Sequence, residues 1–128
     1  MVTREVPHEQ WDTFLQRFSR EYQGQPAHVE LRRKGQGTVM EAENRRLQQV
    51  WSERSGGHEQ ISIVLGEAPE GEHITYIVSD PRRVRFQETA PDVRDALEVE
   101  ADEGTTVLQF LRPGWSEASG NAGGKVRS

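Results

Sequence analysis

Near the start of the chain, apolar residues recur at the spacing of one helix face. Their positions follow the pattern i, i+3, i+4, i+7 and i+11, and the residues between them are polar or charged. The stripe consists of Trp11, Phe14, Leu15, Phe18 and Tyr22. Burying each of these side chains stabilises a fold by about 1.5–3 kcal/mol, so the stripe cannot be left in water. The pattern predicts an amphipathic helix that packs on another element and ends at Gly24.

After this helix, apolar and polar residues begin to alternate, which is typical of strands. In "AHVELRRKG", Val29 and Leu31 lie on one face, and the turn-like "KGQG" that follows predicts a hairpin. Residues 39–53 are ambiguous, because their apolar positions fit a helix about as well as a strand and their residue types favour a helix. These positions are Met40, Leu47, Val50 and Trp51.

The second half of the chain alternates regularly. The stretches "QISIVLG", "HITYIVS", "RVRFQE" and "ALEVEADEGTTVLQF" each place apolar residues on one face, and Asp80-Pro81 supplies a turn. The predicted inner residues are Ile61, Ile63, Leu65, Ile74, Tyr76, Val78, Val84, Phe86, Leu97, Val99, Leu108 and Phe110. Val107 and Leu111 leave the opposite face of the last strand partly apolar. A curved, half-closed sheet would cover both faces of this strand.

The end of the chain has a different composition. From Pro113 onward it is rich in glycine, serine and alanine, with one aromatic residue, Trp115. Such a segment cannot bury enough apolar surface to offset the entropy of ordering it. We therefore expect a single domain over residues 1–112 and a flexible tail over residues 113–128, with Trp115 either exposed or docked on the domain.

Composition excludes several classes of protein. The 128 residues suffice for one domain with its own core, and the absence of cysteine excludes disulfides, thiolate metal sites and cysteine nucleophiles. No apolar run approaches the roughly 20 residues of a membrane helix, and the first residues lack the apolar stretch of a secretory signal. We expect a cytoplasmic protein that does not contact a membrane.

The distribution of charge argues against nucleic acid as the main partner. The net charge is −5, with nine basic and nine acidic residues in 1–60 but seven basic and twelve acidic residues in 61–128. Binding to nucleic acid depends on how many phosphates the protein neutralises, and this acidic excess opposes it.

Three stretches resemble a known family of small bacterial proteins, catalogued as domain of unknown function 5335. They are "VPHEQWDTFLQRFSR", "ISIVLGEAPEGEHITYIVSDPRRVRFQET" and "DALEVEADEGTTVLQF", so the resemblance covers about residues 6–111. The resemblance implies an N-terminal helix followed by a meander of antiparallel strands. It implies no activity and no catalytic residue. The chain departs from the family in "RRLQQVW", but the resemblance favours a broken strand over a helix for residues 39–53.

No motif indicates catalysis, a metal or a cofactor. The histidines His8, His28, His58 and His73 have no partner at metal-ligand spacing. No serine lies in a nucleophile elbow, and no glycine-rich loop opens a helix. The carboxylates Glu98, Glu100, Asp102 and Glu103 fall on the predicted outer face, where water screens them. We expect no cofactor, and an enzyme is the third-ranked hypothesis.

Two groups of arginines are the candidates for an anion or partner surface. Arg83 and Arg85 lie on the outer face of their strand; pairing Phe86 with Val99 places Arg85 opposite Glu100, in a charge ladder whose pairs are each worth about 0.2–1 kcal/mol. The alternatives are contacts to an anion or nucleic acid, or to a protein. The second group could meet across the predicted hairpin as a local anion site. It contains Arg32, Arg33, Lys34, Arg45 and Arg46.

The sequence therefore predicts an α+β fold, in which an N-terminal amphipathic helix packs on an antiparallel β-meander of about six or seven strands, curled toward a small half-closed barrel. The first functional hypothesis is a non-catalytic accessory or protein-interaction domain, with an unknown protein partner or self-association. The alternative is a small-barrel, Sm-like nucleic-acid-binding protein, which rests on fold analogy. Assignment of most aromatic residues to the core argues against it, because single-strand binders expose aromatic side chains for base stacking.

Overall fold

A computed structural model describes residues 2–33, 35–66, 72–88 and 95–110, and it confirms the α+β class. A helix packs on an antiparallel sheet that has eight strands within the described residues. The elements are β1 (Val2–Val6), a 3-10 turn (His8–Gln10), α1 (Trp11–Tyr22), β2 (Pro26–Arg33), β3 (Gly37–Ser55), β4 (His58–Gly66), β5 (His73–Ser79), β6 (Arg83–Glu88), β7 (Ala96–Ala101) and β8 (Gly104–Phe110). The prediction of six or seven strands omitted β1, a short strand with exposed polar residues from Thr3 to Glu5.

The order of strands differs from the single meander that was predicted. The order is β1-β6-β7-β8-β2-β3-β4-β5, and each strand is antiparallel to its neighbours. Two meanders, β2 to β5 and β6 to β8, are joined where β2 pairs with β8. The sheet curls without closing into a barrel, so β1 and β5 remain as its two edges.

β3 influences the shape of the sheet because it pairs with a different strand along each part of its length. Its first part pairs with β2 and its second part pairs with β4. The register shifts twice in the pairing with β2 and once in the pairing with β4. Asn44, with a left-handed φ of 52°, lies at the shift between Ala42 and Arg45. Residues 39–53 are thus an irregular strand, as predicted, and not a helix. The irregularity turns β4 and β5 back over the other strands, so that β5 approaches β7.

The core lies between the inner faces of the strands and α1. The predicted inner residues of β4, Ile61, Ile63 and Leu65, are fully buried, as are Leu97, Val99 and Leu108. On the helix, Trp11, Leu15 and Phe18 are buried, while Phe14 and Tyr22 are partly buried. The rings of Phe18, Tyr22, Phe86 and Phe110 contact one another, with centroids 4.4 Å apart for Tyr22 and Phe110. The amphipathic helix prediction is confirmed.

α1 and the residues just after it satisfy backbone groups of β3 that no strand of the described residues pairs with. The Oγ of Ser19 accepts a hydrogen bond from the Val50 N–H at 2.8 Å and donates one to the Val50 carbonyl at 2.7 Å. Just after the helix, Gly24 N–H donates to the Leu47 carbonyl, and Leu47 N–H donates to the Gln25 carbonyl. The left-handed φ of Gly24, 86°, makes this approach possible. The helix therefore replaces β2 along the second part of β3.

We predict that Ser19→Ala lowers the free energy of unfolding by about 1–3 kcal/mol, because it leaves a buried N–H and a buried carbonyl of Val50 without partners. Urea unfolding measures the change. The control is Ser55→Ala at an exposed position of the same β3 strand, which should change stability by less than about 0.5 kcal/mol. Equal effects of the two substitutions would contradict the role of Ser19.

Candidate interaction surfaces

The predicted arginine row lies on the outer face of the sheet, but in a different register. Phe86 pairs with Leu97 and Arg85 pairs with Glu98, so the predicted pairing of Phe86 with Val99 was wrong by two residues. Such a shift keeps every side chain on its predicted face, because side chains alternate with a period of two. The arginines and glutamates consequently still share one face.

These side chains form a charge ladder, defined here as Arg83, Arg85, Gln87, Glu98 and Glu100. Arg85 Nη2 lies 2.7 Å from Glu100 Oε1, and its Nη1 lies 3.5 Å from Glu98 Oε1. Arg83 Nη1 lies 3.0 Å from Glu100 Oε2, and Gln87 donates to Glu98 at 3.0 Å. Each arginine of the ladder has a carboxylate partner. The row is an internal charge network rather than a set of free cations.

The ladder shifts the pKa values of two of its members, Glu100 and Arg85. The hydrogen bond from Arg85, with the charges of Arg83 and Arg85, lowers the pKa of Glu100 below its ordinary value of 4.5. The same hydrogen bond raises the pKa of Arg85. Both groups therefore remain charged at neutral pH, and each favours the charged form of the other.

The outer face beside the ladder is closely packed. Val107 lies between Glu98 and Glu30 in register, yet it is only 1% exposed. The two glutamate side chains are themselves 13% and 17% exposed. Long charged side chains cover apolar surface with their methylene groups, so Glu30 and Glu98 shield Val107 from water.

The structure does not bring the arginines of the second group together across the hairpin, and Lys34 lies outside the described residues. Arg45 and Arg46 pair with Ala27 and Pro26 at the start of β2, whereas Arg32 and Arg33 pair with Thr38 and Gly37 beside the turn. At about 3.3 Å per residue, the two pairs are separated by roughly 20 Å along the strands. Arg46 donates to the Gly24 carbonyl, and Arg32 contacts Glu30.

Two of the four histidines, His8 and His58, contact different carboxylates. His8 Nε2 lies 2.7 Å from Glu59 Oε1, and His58 Nδ1 lies 3.2 Å from Asp80 Oδ1. Within the part of the chain that the structure describes, no three histidine or acidic side chains group as metal ligands would.

A groove of about 500 Å3 runs between α1 and β1. Phe14 and Phe86 lie in its lining, together with basic Arg4 and Arg17. The acidic residues Glu5, Glu9 and Glu21 line it as well. Both cations and anions line the groove, so its charge selects neither an acidic nor a basic ligand.

β5 is an edge strand whose free backbone groups can be assigned. Asp80 N–H donates to the Glu59 carbonyl at 2.8 Å, in continuation of the register that pairs Ser79 with Gln60. In an antiparallel pair, hydrogen-bonded and non-hydrogen-bonded residues alternate. Tyr76 and Val78 are thus bonded to β4, while the N–H and carbonyl groups of Thr75 and Ile77 point away from it. Within the described residues, no strand pairs with these outward main-chain donors and acceptors of β5.

An apolar row on the outer surface leads to this edge. Trp51, Ser62 and Ile77 are neighbours across β3, β4 and β5. Ser62 is buried between the two larger side chains, and Val64 is partly buried in the adjacent row. Ile77 is 55% exposed, more than the other exposed large apolar residues of the described chain, Val39 and Met40.

The two edges of the sheet differ in protection. β1 carries Arg4 and Glu5, and natural edge strands use such charges to prevent pairing with other chains. β5 has no charged residue from Ile74 to Ser79. Sequence reasoning assigned the faces of "HITYIVS" correctly but missed that it is an edge; the signal in the sequence was its uncharged run with Ile77 on the outer face.

The chain belongs to a family of unknown function, DUF5335, whose model matches residues 2–118. The resemblance recognised in the sequence is thereby confirmed. The match extends beyond residue 112, the predicted end of the domain; the predicted tail, with Trp115, and Leu111 lie outside the described residues. The search of curated proteins found no match, and neither did the search of solved structures.

Among the described residues, no helix has the length and apolar character needed to cross a membrane.

For the charge ladder, we predict that Arg85 and Glu100 couple by about 0.2–1 kcal/mol in a double-mutant cycle with alanine, because both side chains retain some contact with water. Urea unfolding of the four proteins gives the coupling. Arg82 and Asp102 provide a control cycle, since their side chains are 61% and 80% exposed and should couple less. A larger coupling for the control pair would contradict the network.

The lowered pKa of Glu100 predicts a pH dependence. A carboxyl whose pKa is lower in the folded state adds stability above its unfolded pKa, near 4.5, and loses it as the pH falls through the folded pKa. The stability difference between the unmodified protein and Glu100→Gln should therefore be constant near neutral pH and shrink below about pH 4.5. Urea unfolding at several pH values measures it. A difference that grows in acid would show that the sign is wrong.

Proposed function

We propose that this chain is a non-catalytic protein-interaction domain that binds an extended segment of protein along β5. The observation that carries the proposal is the uncharged edge itself, where the backbone groups of Thr75 and Ile77 face outward beside an exposed isoleucine side chain. Addition of a strand to an open sheet edge is a common mode of peptide recognition: main-chain hydrogen bonds supply affinity, and alternate side chains supply specificity.

The outer surface next to β5 supports the same proposal. An added strand places alternate side chains on the face that carries Ile77, Val64 and Trp51. These residues are apolar, so they favour apolar or β-branched side chains at every second position of the bound segment. Trp51 holds its ring in place by donating from Nε1 to Glu53 Oε1 at 2.7 Å.

The same observations favour protein over nucleic acid as the ligand. Arg83 and Arg85, the strongest basic candidates, are neutralised by Glu98 and Glu100. The nucleic-acid alternative also rested on analogy to a small barrel, whereas the sheet is open. Non-specific binding to single strands needs a continuous basic groove with exposed aromatic rings, and Phe18, Phe86 and Phe110 are buried.

We predict that peptides selected from a random displayed library bind the edge with an alternating apolar pattern. Thr75→Pro removes an outward N–H without breaking a bond to β4, and edge strands accept proline where the N–H faces solvent. This variant loses a main-chain hydrogen bond to the peptide, and proline fixes the backbone φ angle. Its affinity for the peptides, measured by fluorescence anisotropy, should therefore fall at least about tenfold.

Thr75→Val is the matched control, since it retains the N–H and the shape of the side chain; its affinity should match that of the unmodified protein. Peptides that bind Thr75→Pro as tightly as Thr75→Val, or a selection that enriches no peptide, would refute binding along β5.

A further inference from the structure

We propose that the segment bound along β5 is β5 of a second copy of this chain, so that two copies pair antiparallel about a twofold axis at Tyr76. This inference rests on the proposed function, because it uses the same free edge. It adds the identity of the partner and the register of the pairing. The result is a symmetric dimer in which the sheet continues from one copy into the other.

The hydrogen-bond pattern of β5 is compatible with this axis. A twofold axis at Tyr76 places Thr75 opposite Ile77 of the second copy, and both residues direct their N–H and carbonyl groups outward. The two residues can therefore exchange both main-chain hydrogen bonds. An axis midway between two residues fails, because it pairs an outward residue with one that is already bonded to β4.

The side chains are self-complementary in the same register. On the inner face, Ile74 lies opposite Val78 of the second copy, and on the outer face Thr75 lies opposite Ile77. All four are β-branched residues, which form favourable cross-strand pairs. The pairing covers Ile77, the most exposed large apolar side chain of the described residues.

The charges near β5 permit it to pair with β5 of a second copy, whereas the charges of β1 oppose such pairing at the other edge of the sheet. A twofold axis brings identical segments together, so a charged residue on the axis lies opposite the same charge of the second copy. The segment from Ile74 to Ser79 contains none. The nearest charges, Glu72 and Asp80, lie beyond both ends of the pairing and repel each other across the interface. Added salt should therefore strengthen the dimer, because it screens this repulsion.

The contact is short, so the dimer is weak. At Asp80 the chain turns away from β5 towards β6, where Arg82 N–H donates to the Glu100 carbonyl, and this confines the pairing to Ile74–Val78. An interface of this length is smaller than the roughly 1,200–2,000 Å2 of a standard stable complex. We expect dissociation in the micromolar range or above.

Sedimentation velocity of the full chain, from low micromolar to several hundred micromolar, tests the dimer. The unmodified protein and Thr75→Val should move with concentration from the monomer mass of 14.6 kDa towards twice that mass. Thr75→Pro should dimerise at least about tenfold more weakly. Ile77→Lys places two like charges beside the axis and should weaken the dimer to a similar extent. It is the variant to use if circular dichroism shows that Thr75→Pro is unfolded.

A single introduced cysteine tests the register, because the chain has no cysteine of its own. Residues opposite each other in a non-hydrogen-bonded pair have Cα atoms about 4.5 Å apart, within the range of a disulfide. Tyr76→Cys should therefore form a disulfide-linked dimer under mild oxidation. Ser55→Cys, exposed at the far end of β3, should form it much more slowly at the same concentration.

A protein that remains monomeric at every concentration, or that forms assemblies larger than a dimer, would overturn the inference. A dimer that neither Thr75→Pro nor Ile77→Lys weakens would also overturn it. So would equal crosslinking at positions 55 and 76. If the chain is monomeric but selected peptides still bind at β5, the dimer is wrong and the proposed function stands. If peptides also fail to bind, both are wrong.

Discussion

The hydroxyl of Ser19 and the main chain of Val50 form the contact on which the rest of the structure depends. β3 bends away from β2 partway along its length, and beyond the bend no strand of the described residues pairs with one side of its backbone. Buried N–H and carbonyl groups must find partners, and the helix supplies them through Ser19 and the residues after its end. This constraint holds α1 beside β3 and directs its aromatic residues into the core.

The same arrangement explains why the two edges of the sheet differ. The helix covers the unpaired part of β3, and β1 is short and charged. β5 approaches β7, but among the described residues no strand pairs with its outer edge, and it has no charges of its own between Ile74 and Ser79. Proteins generally protect edge strands because an open edge pairs with other chains. An edge without protection is consistent with pairing as its role, and this connects the fold to the proposed interaction domain.

The charge ladder illustrates how a conspicuous sequence feature can be structural. Three arginines within four positions suggest a phosphate site when they are considered alone. In the sheet, Arg83 and Arg85 lie against Glu98 and Glu100, and Arg82 lies against Asp102. The carboxylates come from the next strand of the same meander, so hairpin pairing alone brings the opposite charges together. Their mutual hydrogen bonds leave little free positive charge for an anion.

Much of the secondary structure and burial of this protein follows from the local pattern of apolar and polar residues. The spacing of Trp11, Leu15 and Phe18 predicted α1, and the alternation in β4 to β8 predicted which residues are buried, because helix and strand periods act over a few residues. Alternation cannot distinguish registers that differ by two residues, which is why Phe86 was paired with Val99 instead of Leu97. It also could not show that Arg32 and Arg45 lie far apart, since that depends on the position of the turn.

Only the tertiary structure decided the order of the strands, the bend in β3 and the exposure of β5. These depend on contacts between residues far apart in the chain, such as β1 with β6 and β2 with β8. The residue types of β3 favour a helix, yet pairing with β2 and β4 on either side of the bend outweighs that weak local preference. For β4 to β8, the sequence by itself determined which face points into the core, because side chains alternate between faces with a local period. Which strand lies at the edge is a property of the whole sheet, and no local period encodes it.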